Sequence, residues 1–294
     1  FIHQLRFLGL VQHKVTEHFE SASTKKTILN KLVVQKTPEV LDILHSKAKE
    51  GFSASYLGAY LIDPLKFYIE KILGVSSSQA FNNVLSPMVG GVIAHKALKC
   101  LYEPYLNKPL KASDYSDLKK KTPAVLLEHY RSVFGGDEVV SGKSRLMLFA
   151  LEQSILNILK VEKEKLLDGN SLTIVALEKR FNYTLKVPGV GEVVLTGSID
   201  RVDRYNGVLR IVDYKSGKID PAKLKIADWN SLKGDEKRRA LFQILLYSHA
   251  EKDLLKTEQE LIAGIISFKN TQSYVLPFGM KFEDNKYYIH GVNQ

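Results

Sequence analysis

Cysteine is nearly absent from this chain. Its one thiol, Cys100, excludes a disulfide framework and any cluster held by several thiolates, and fits a reducing, cytoplasmic location. No run of about 18 apolar residues exists, so no membrane-spanning helix is expected. The opening Phe1-Ile2-His3-Gln4 carries neither an initiator methionine nor a signal-peptide pattern. The closing Ile289-His290-Gly291-Val292-Asn293-Gln294 still alternates apolar and polar residues. Both ends read as boundaries inside a longer chain. A nucleophile elbow and a phosphate-binding loop are also missing, which removes support for a small-molecule hydrolase built on either device.

What is present is enough for one sizeable core, or a core plus a helical subdomain, in 294 residues. The 45% apolar and 25% charged content is that of an ordinary globular protein. The charge is not balanced: 42 basic residues against 32 acidic give a formal +10. Such an excess favours acidic partners, nucleic acid first among them.

Along the chain, Thr37-Pro38 interrupts whatever precedes it, and Lys47-Ala48-Lys49-Glu50-Gly51 reads as a linker. From Ser53 the apolar spacing turns helical, with Ser53 or Ser55 as cap. Further helices are expected from Pro64, from Ser86-Pro87, and over about 118–134 and 142–168. Past Asn170 the character changes. Ile174–Val187, Glu192–Tyr205 and Val208–Tyr214 are rich in β-branched and aromatic residues and are separated by Pro188-Gly189 and Asn206-Gly207. Three antiparallel strands follow, the second turn being a strong hairpin signal. A helix over about 235–251 and a strand over about 261–269 complete an α/β or α+β reading.

The chemistry concentrates in Gly197-Ser198-Ile199-Asp200-Arg201-Val202-Asp203 and Ile211-Val212-Asp213-Tyr214-Lys215-Ser216-Gly217. Asp213 and Lys215 are two apart on a strand and share a face. The Asn206-Gly207 hairpin can carry Asp200 to the end of the neighbouring strand. Two converging carboxylates suit a hard divalent cation, and an adjacent lysine can stabilise phosphate charge or help deprotonate a water. On these residues alone, solvated strand ends or a simple ion pair would read the same way. The apolar Ile211 and Val212 argue for a central strand, where an Asp and a Lys need a reason to be present.

These segments resemble the signature of RecB-like nucleases in the PD-(D/E)XK superfamily. Three further pieces occur in the family's order. Ser53-Ala54-Ser55-Tyr56-Leu57 with Asp63-Pro64-Leu65-Lys66-Phe67-Tyr68 is similar to the helical opening of AddB-type nuclease domains. Gly91-Val92-Ile93-Ala94-His95 is similar to their Gly-x-x-x-His motif, and Gln243-Ile244-Leu245-Leu246-Tyr247 to their Gln-x-x-x-Tyr motif. The resemblance implies a restriction-endonuclease-like α/β core, with a central mixed sheet flanked by helices and an added helical subdomain. It implies residues 1–50 as a connecting segment and 51–294 as the nuclease domain, helical over about 51–168 with a catalytic sheet core over about 170–270.

It further implies that Asp200 and Asp213 bind metal, with Lys215 as the catalytic lysine. His95 and the Tyr214 carbonyl would join the metal shell, and Glu178 is a candidate additional acid. Gln243 and Tyr247, one helical turn apart, would contact DNA or shape the site, as would Arg239 and Arg201. The implied activity is divalent-metal-dependent DNA hydrolysis, as an exonuclease, using magnesium or manganese. The implied partner is a superfamily 1 helicase in DNA repair and recombination. A catalytically silent module that binds DNA or a helicase is the alternative. One departure stands out: many AddB-type domains place a cysteine where this chain has Asp63 and build an iron–sulfur cluster from four cysteines. With Cys100 alone no such cluster is expected, and packing around Pro64, Phe67 and Tyr68 must hold the helical lid.

Overall fold

A computed structural model describes residues 33–75, 86–135, 142–251, 260–270, 274–281 and 287–288. The chain divides into two compact units, Phe1–Lys36 and Thr37–Gln294. Of the first, residues 33–36 are described and carry no regular secondary structure.

The second unit opens with α1 (Pro38–Glu50), where proline occupies the first turn, the one helical site at which its missing N–H is harmless. The stretch expected to be a linker, Lys47 to Gly51, is therefore the last turn of a helix and its terminator. Ala48 is buried in the core beside Val193 and Leu195, which a lysine-rich sequence hides. Gly51 ends the helix at φ 122°, and a Cβ there would come within 2.8 Å of Thr196 Cγ2.

Next come α2 (Ala54–Ile62), α3 (Pro64–Phe67, continuing as a π-helical turn through Ile72) and α4 (Pro87–Tyr102). Each has a side-chain cap: Ser53, Asp63 and Ser86 accept from the amides of Tyr56, Lys66 and Val89. Phe67 is buried between Tyr56 and Tyr60, at ring distances of 4.9 and 5.4 Å. Of the three residues expected to pack here, Phe67 is buried, Tyr68 half-buried and Pro64 exposed. The helical layer is completed by α5 (Asp114–Phe134) and α6 (Gly142–Leu167).

Three strands, β1 (Leu172–Val187), β2 (Gly191–Tyr205) and β3 (Val208–Lys215), form an antiparallel meander. The β2–β3 hairpin turns on Asn206 and Gly207 at φ 51° and 87°, the left-handed pair such a two-residue turn requires. A short strand β4 (Lys225–Ile226) and helix α7 (Arg239–Ala250) lead to β5 (Leu261–Ser267), which pairs parallel to β3. Then β6 (Leu276–Pro277) closes a mixed five-stranded sheet in the order β1-β2-β3-β5-β6. A small second sheet joins β4 to β7 (Gly279–Lys281) and β8 (Tyr287–Tyr288). The central β3 is buried from Leu209 through Tyr214.

One sheet face packs α4, α5 and α6 against Ile174, Val212, Tyr214 and Ile266. On the other side Leu246 and Tyr247 of α7 pack with Ile199, Val202 and Ile211. The fold is thus the α/β sandwich expected, a mixed sheet flanked by helices. Among the described residues, no helix is long and apolar enough to cross a membrane.

Candidate functional site

The site forms where β2 and β3 part. Their last paired residues are Arg201 and Val212, so one step further the register sets Asp200 across from Asp213. Because the ladder ends there, the Tyr214 amide turns to a side chain instead, donating to Asp200 Oδ2 at 2.7 Å. From β1, Glu178 arrives at the same level, between Leu177, paired with Arg201, and Lys179, paired with Ile199. Glu178 adopts φ 48° inside the strand, a conformation that stores on the order of 1–3 kcal/mol of strain in a non-glycine residue. Ser198 holds its carboxylate through a 3.1 Å hydrogen bond to Oε2.

From α4, His95 brings Nδ1 to 3.4 Å from Asp200 Oδ2. The helix can come this close to the chain after β3 because position 91, one turn earlier, is glycine. A Cβ there would sit 3.3 Å from Ser216 Oγ. Ligand atoms of His95, Glu178 and Asp200 all lie within 4.8 Å of one another, the spacing of donors around one cation. Glu178 was a secondary candidate in the sequence; the geometry puts it inside the cluster.

Asp213 is buried, and neither of its carboxylate oxygens has a hydrogen-bond partner. Lys215 Nζ stands 2.8 Å from Oδ2, close enough for charge attraction but not aligned as a hydrogen bond. Burial, opposed by Lys215 and reinforced by Asp200, pushes the Asp213 carboxyl up to about 6. His95 is also displaced. Burial works to lower its pKa, but the hydrogen bond and charge of Asp200, then the charge of Asp213, outweigh it and hold it above its ordinary value. Two carboxylates, an imidazole and an orphaned buried carboxylate beside them form a donor set that a hard or borderline divalent ion satisfies. The residues present fit such an ion.

Lys215 is fixed from the far side. Its Nζ donates to Gln243 Oε1 at 2.7 Å, and Gln243 Nε2 donates to Tyr247 OH at 2.6 Å. Both partners lie on α7, one turn apart as expected. Tyr247 seats against Phe181 with ring centres 5.7 Å apart. It fits because position 197 is glycine: a Cβ there would stand 2.8 Å from the Phe181 ring and 3.2 Å from Tyr247.

Two basic residues part company. Arg239 is exposed at the start of α7, within a cleft that Lys215 and Gln243 also line. Arg201, expected to touch DNA or shape the site, is fully buried and cannot reach a backbone phosphate. It donates to Glu162 (2.8 Å), Asp203 (2.6 Å), Tyr214 OH (3.2 Å) and Tyr274 OH (2.9 Å). Arg210 grips the same Asp203 at 2.6 and 3.0 Å. This network ties α6 to β2 and β3 directly behind the acids. Glu162 and Tyr274 escaped the sequence reading, since Glu162 sits in the run Lys160–Lys165 that looks solvent-facing throughout.

Acids and a lysine gather at the parting of two central strands of an α/β fold, with a helix histidine closing over them, an arrangement able to hold a divalent cation beside an ammonium. The model of the PD-(D/E)XK nuclease superfamily matches residues 51–276, and the chain belongs to that superfamily. Membership brings divalent-metal-dependent nuclease activity as the class of function and DNA as the class of substrate. A comparison with curated proteins finds no match.

Proposed function

We propose that the protein is a divalent-metal-dependent deoxyribonuclease of the RecB/AddB-like branch, acting as an exonuclease within a helicase–nuclease that serves DNA repair and recombination. The observation that carries the reading is the pairing of an orphaned buried carboxylate, Asp213, with the compact donor set of His95, Glu178 and Asp200. A catalytically silent module would have no cause to keep a buried carboxylate that Lys215 neutralises without hydrogen-bonding, because burying it is unfavourable.

In this reading His95, Glu178, Asp200 and Asp213 hold magnesium or manganese, with the Tyr214 carbonyl as a further ligand. The ion supplies Lewis acidity and a nucleophilic water near neutral pH. Lys215 places its ammonium where charge develops on the phosphate, and Gln243, anchored on Tyr247, fixes its direction. Arg239 contacts the backbone. Residues 51–294 are read as the nuclease domain, with α1 bracing it, and the chain before them as a connection to the larger protein. A superfamily 1 helicase would feed it strands.

The test is cleavage of end-labelled single- and double-stranded DNA with Mg2+ or Mn2+, beside EDTA and an Asp213→Ala variant. Metal-dependent cutting lost in both controls is the expected result. Full activity in Asp213→Ala would overturn the assignment. DNA binding without any cutting by the wild type would favour the silent module.

A further inference from the structure

Glu162 lies on α6, which supplies no donor to the cluster of His95, Glu178 and Asp200, yet its side chain is wholly buried. Four donors meet it. Tyr102 OH and Tyr115 OH donate to Oε2 at 2.5 and 2.9 Å, and Tyr274 OH and the Arg201 guanidinium donate to Oε1 at 2.6 and 2.8 Å. Partners in this number make the buried charge tolerable, but well-packed apolar residues would serve stability as well or better. What apolar contact cannot do is fix an angle, because burial is non-directional and a hydrogen bond is not.

Two of the partners lead to the site. On α4, Tyr102 follows His95 by seven residues, two turns along and on the same face. On β2, Arg201 is the immediate neighbour of Asp200, on the opposite face of the strand. The Arg201 guanidinium lies over the Tyr102 ring, 5.1 Å from its centre, and donates to Tyr214 OH at 3.2 Å. The Tyr214 ring is in turn a floor for the imidazole, which stands edge-on to it with ring centres 5.8 Å apart. The backbone amide of the same Tyr214 holds Asp200. Two chains of contact thus run from one carboxylate to His95, through Tyr102 and through Arg201 with Tyr214, and the second also reaches Asp200.

We propose that Glu162 is a positioning residue: anchored on α6, it sets the rotation of α4 and the tilt of the Tyr214 ring, and so holds the His95 imidazole at Asp200. The consequence for metal affinity rests on the nuclease reading above, whereas the placement itself belongs to the metal-free fold. An imidazole ligand favours manganese over magnesium, so a misplaced His95 costs affinity for manganese more than for magnesium.

Two measurements on the 294-residue chain test this. In EDTA, nuclear Overhauser contacts between the His95 and Tyr214 rings are recorded, the His95 signals being those lost in His95→Ala. Calorimetric titration gives the Mn2+ and Mg2+ affinities. Glu162→Gln is compared with the milder Tyr102→Phe, which removes one hydroxyl and keeps the ring. Ile226→Ala truncates a separate apolar cluster and lowers stability without touching the network. Should Glu162→Gln fail to fold, Tyr102→Phe carries the test.

Both network variants should weaken the ring contact, and Ile226→Ala should leave it unmoved. The Mn2+ Kd should rise about fivefold in Glu162→Gln and about threefold in Tyr102→Phe, less than when a residue bonded directly to a ligand is lost. The Mg2+ Kd should change less than about twofold. In a His95→Ala background Glu162→Gln should no longer alter the Mn2+ Kd, since an effect passing through His95 is not additive with its removal. An intact ring contact in both network variants, an equal change in Ile226→Ala, or a full Mn2+ shift persisting without His95 would overturn the positioning role. A wild type that binds neither ion would sink the metal reading, and the ring contact in EDTA would still decide whether Glu162 places His95.

Discussion

Lys215 on β3 is held by Gln243 on α7 through a 2.7 Å hydrogen bond from Nζ to Oε1, while the same Nζ stands 2.8 Å from Asp213. Gln243 thus fixes the direction of an ammonium that is already paired with the carboxylate. Replacing it with alanine leaves Lys215 held by Asp213 alone and free to turn. The expected result is a drop in kcat of about tenfold, the equivalent of one orienting hydrogen bond near 1.4 kcal/mol, with KM little changed. Single-turnover cleavage at saturating DNA measures it. A variant that cuts at the wild-type rate would remove Gln243 from the mechanism.

The buried Asp213 makes a prediction about pH and stability. Its carboxyl is raised to about 6 from 3.8, so the folded protein holds that proton more tightly than the unfolded chain does. Below pH 3.8 the group is protonated in both states and carries no penalty. As pH climbs toward 6 the penalty of ionising it in the fold grows, and above 6 it is complete, up to about 3 kcal/mol. Asp213→Asn should therefore abolish cutting yet raise the metal-free melting temperature by several degrees at pH 7.5. The gain should shrink toward zero near pH 4. Thermal melts in EDTA across that range check the sign, and a variant less stable than wild type at pH 7.5 would show the wrong cause had been named.

With metal present, stability turns on Glu178. If this strained residue is a ligand, a divalent ion must stabilise the fold. At a hundredfold excess over Kd the gain is about 2.7 kcal/mol, roughly 5–10 °C in a domain of this size. The imidazole of His95 favours manganese over magnesium, so half-maximal stabilisation should come at a lower Mn2+ than Mg2+ concentration. Glu178→Gln and His95→Ala should each shift the Mn2+ midpoint upward by tenfold or more. Calorimetric titration provides a second reading, and an unshifted midpoint in Glu178→Gln would return that acid to a structural role.

Much of this was legible from residue pattern because local physics dictated it. Asn206-Gly207 allows few turns other than the hairpin that sets Asp200 across from Asp213, and the unbroken apolar run before Asp213 marks a central strand. Helix caps at Ser53 and Ser86 follow from the same short-range rules. What escaped depends on contacts distant in sequence. The lysines around Ala48 advertise a linker, yet one buried methyl group against β2 decides for a helix. Glu178 sits among charged neighbours, and its left-handed backbone, which turns it into the site, has no glycine or asparagine to announce it. Glu162 is one acid in a helix run rich in charge, and its burial becomes visible once Arg201 is seen to point inward.

Arg201 supplies the prediction that separates core from interface most sharply. Read from the motif, it is a basic residue beside a catalytic acid and a natural phosphate ligand. Read from the fold, it is the hub of a dry network whose carboxylates, Glu162 and Asp203, are both buried with it. Removing one partner of such a cluster leaves charge without compensation and destabilises by about 3–5 kcal/mol. Arg201→Ala should accordingly lower stability by that amount in urea unfolding. Arg201→Lys should recover part of the loss, since an ammonium cannot serve two acids and two tyrosines in the geometry a guanidinium can. DNA affinity per folded molecule should be unchanged, measured at low temperature where the variant still folds. A variant of wild-type stability with weakened DNA binding would reverse this and make Arg201 a substrate contact after all.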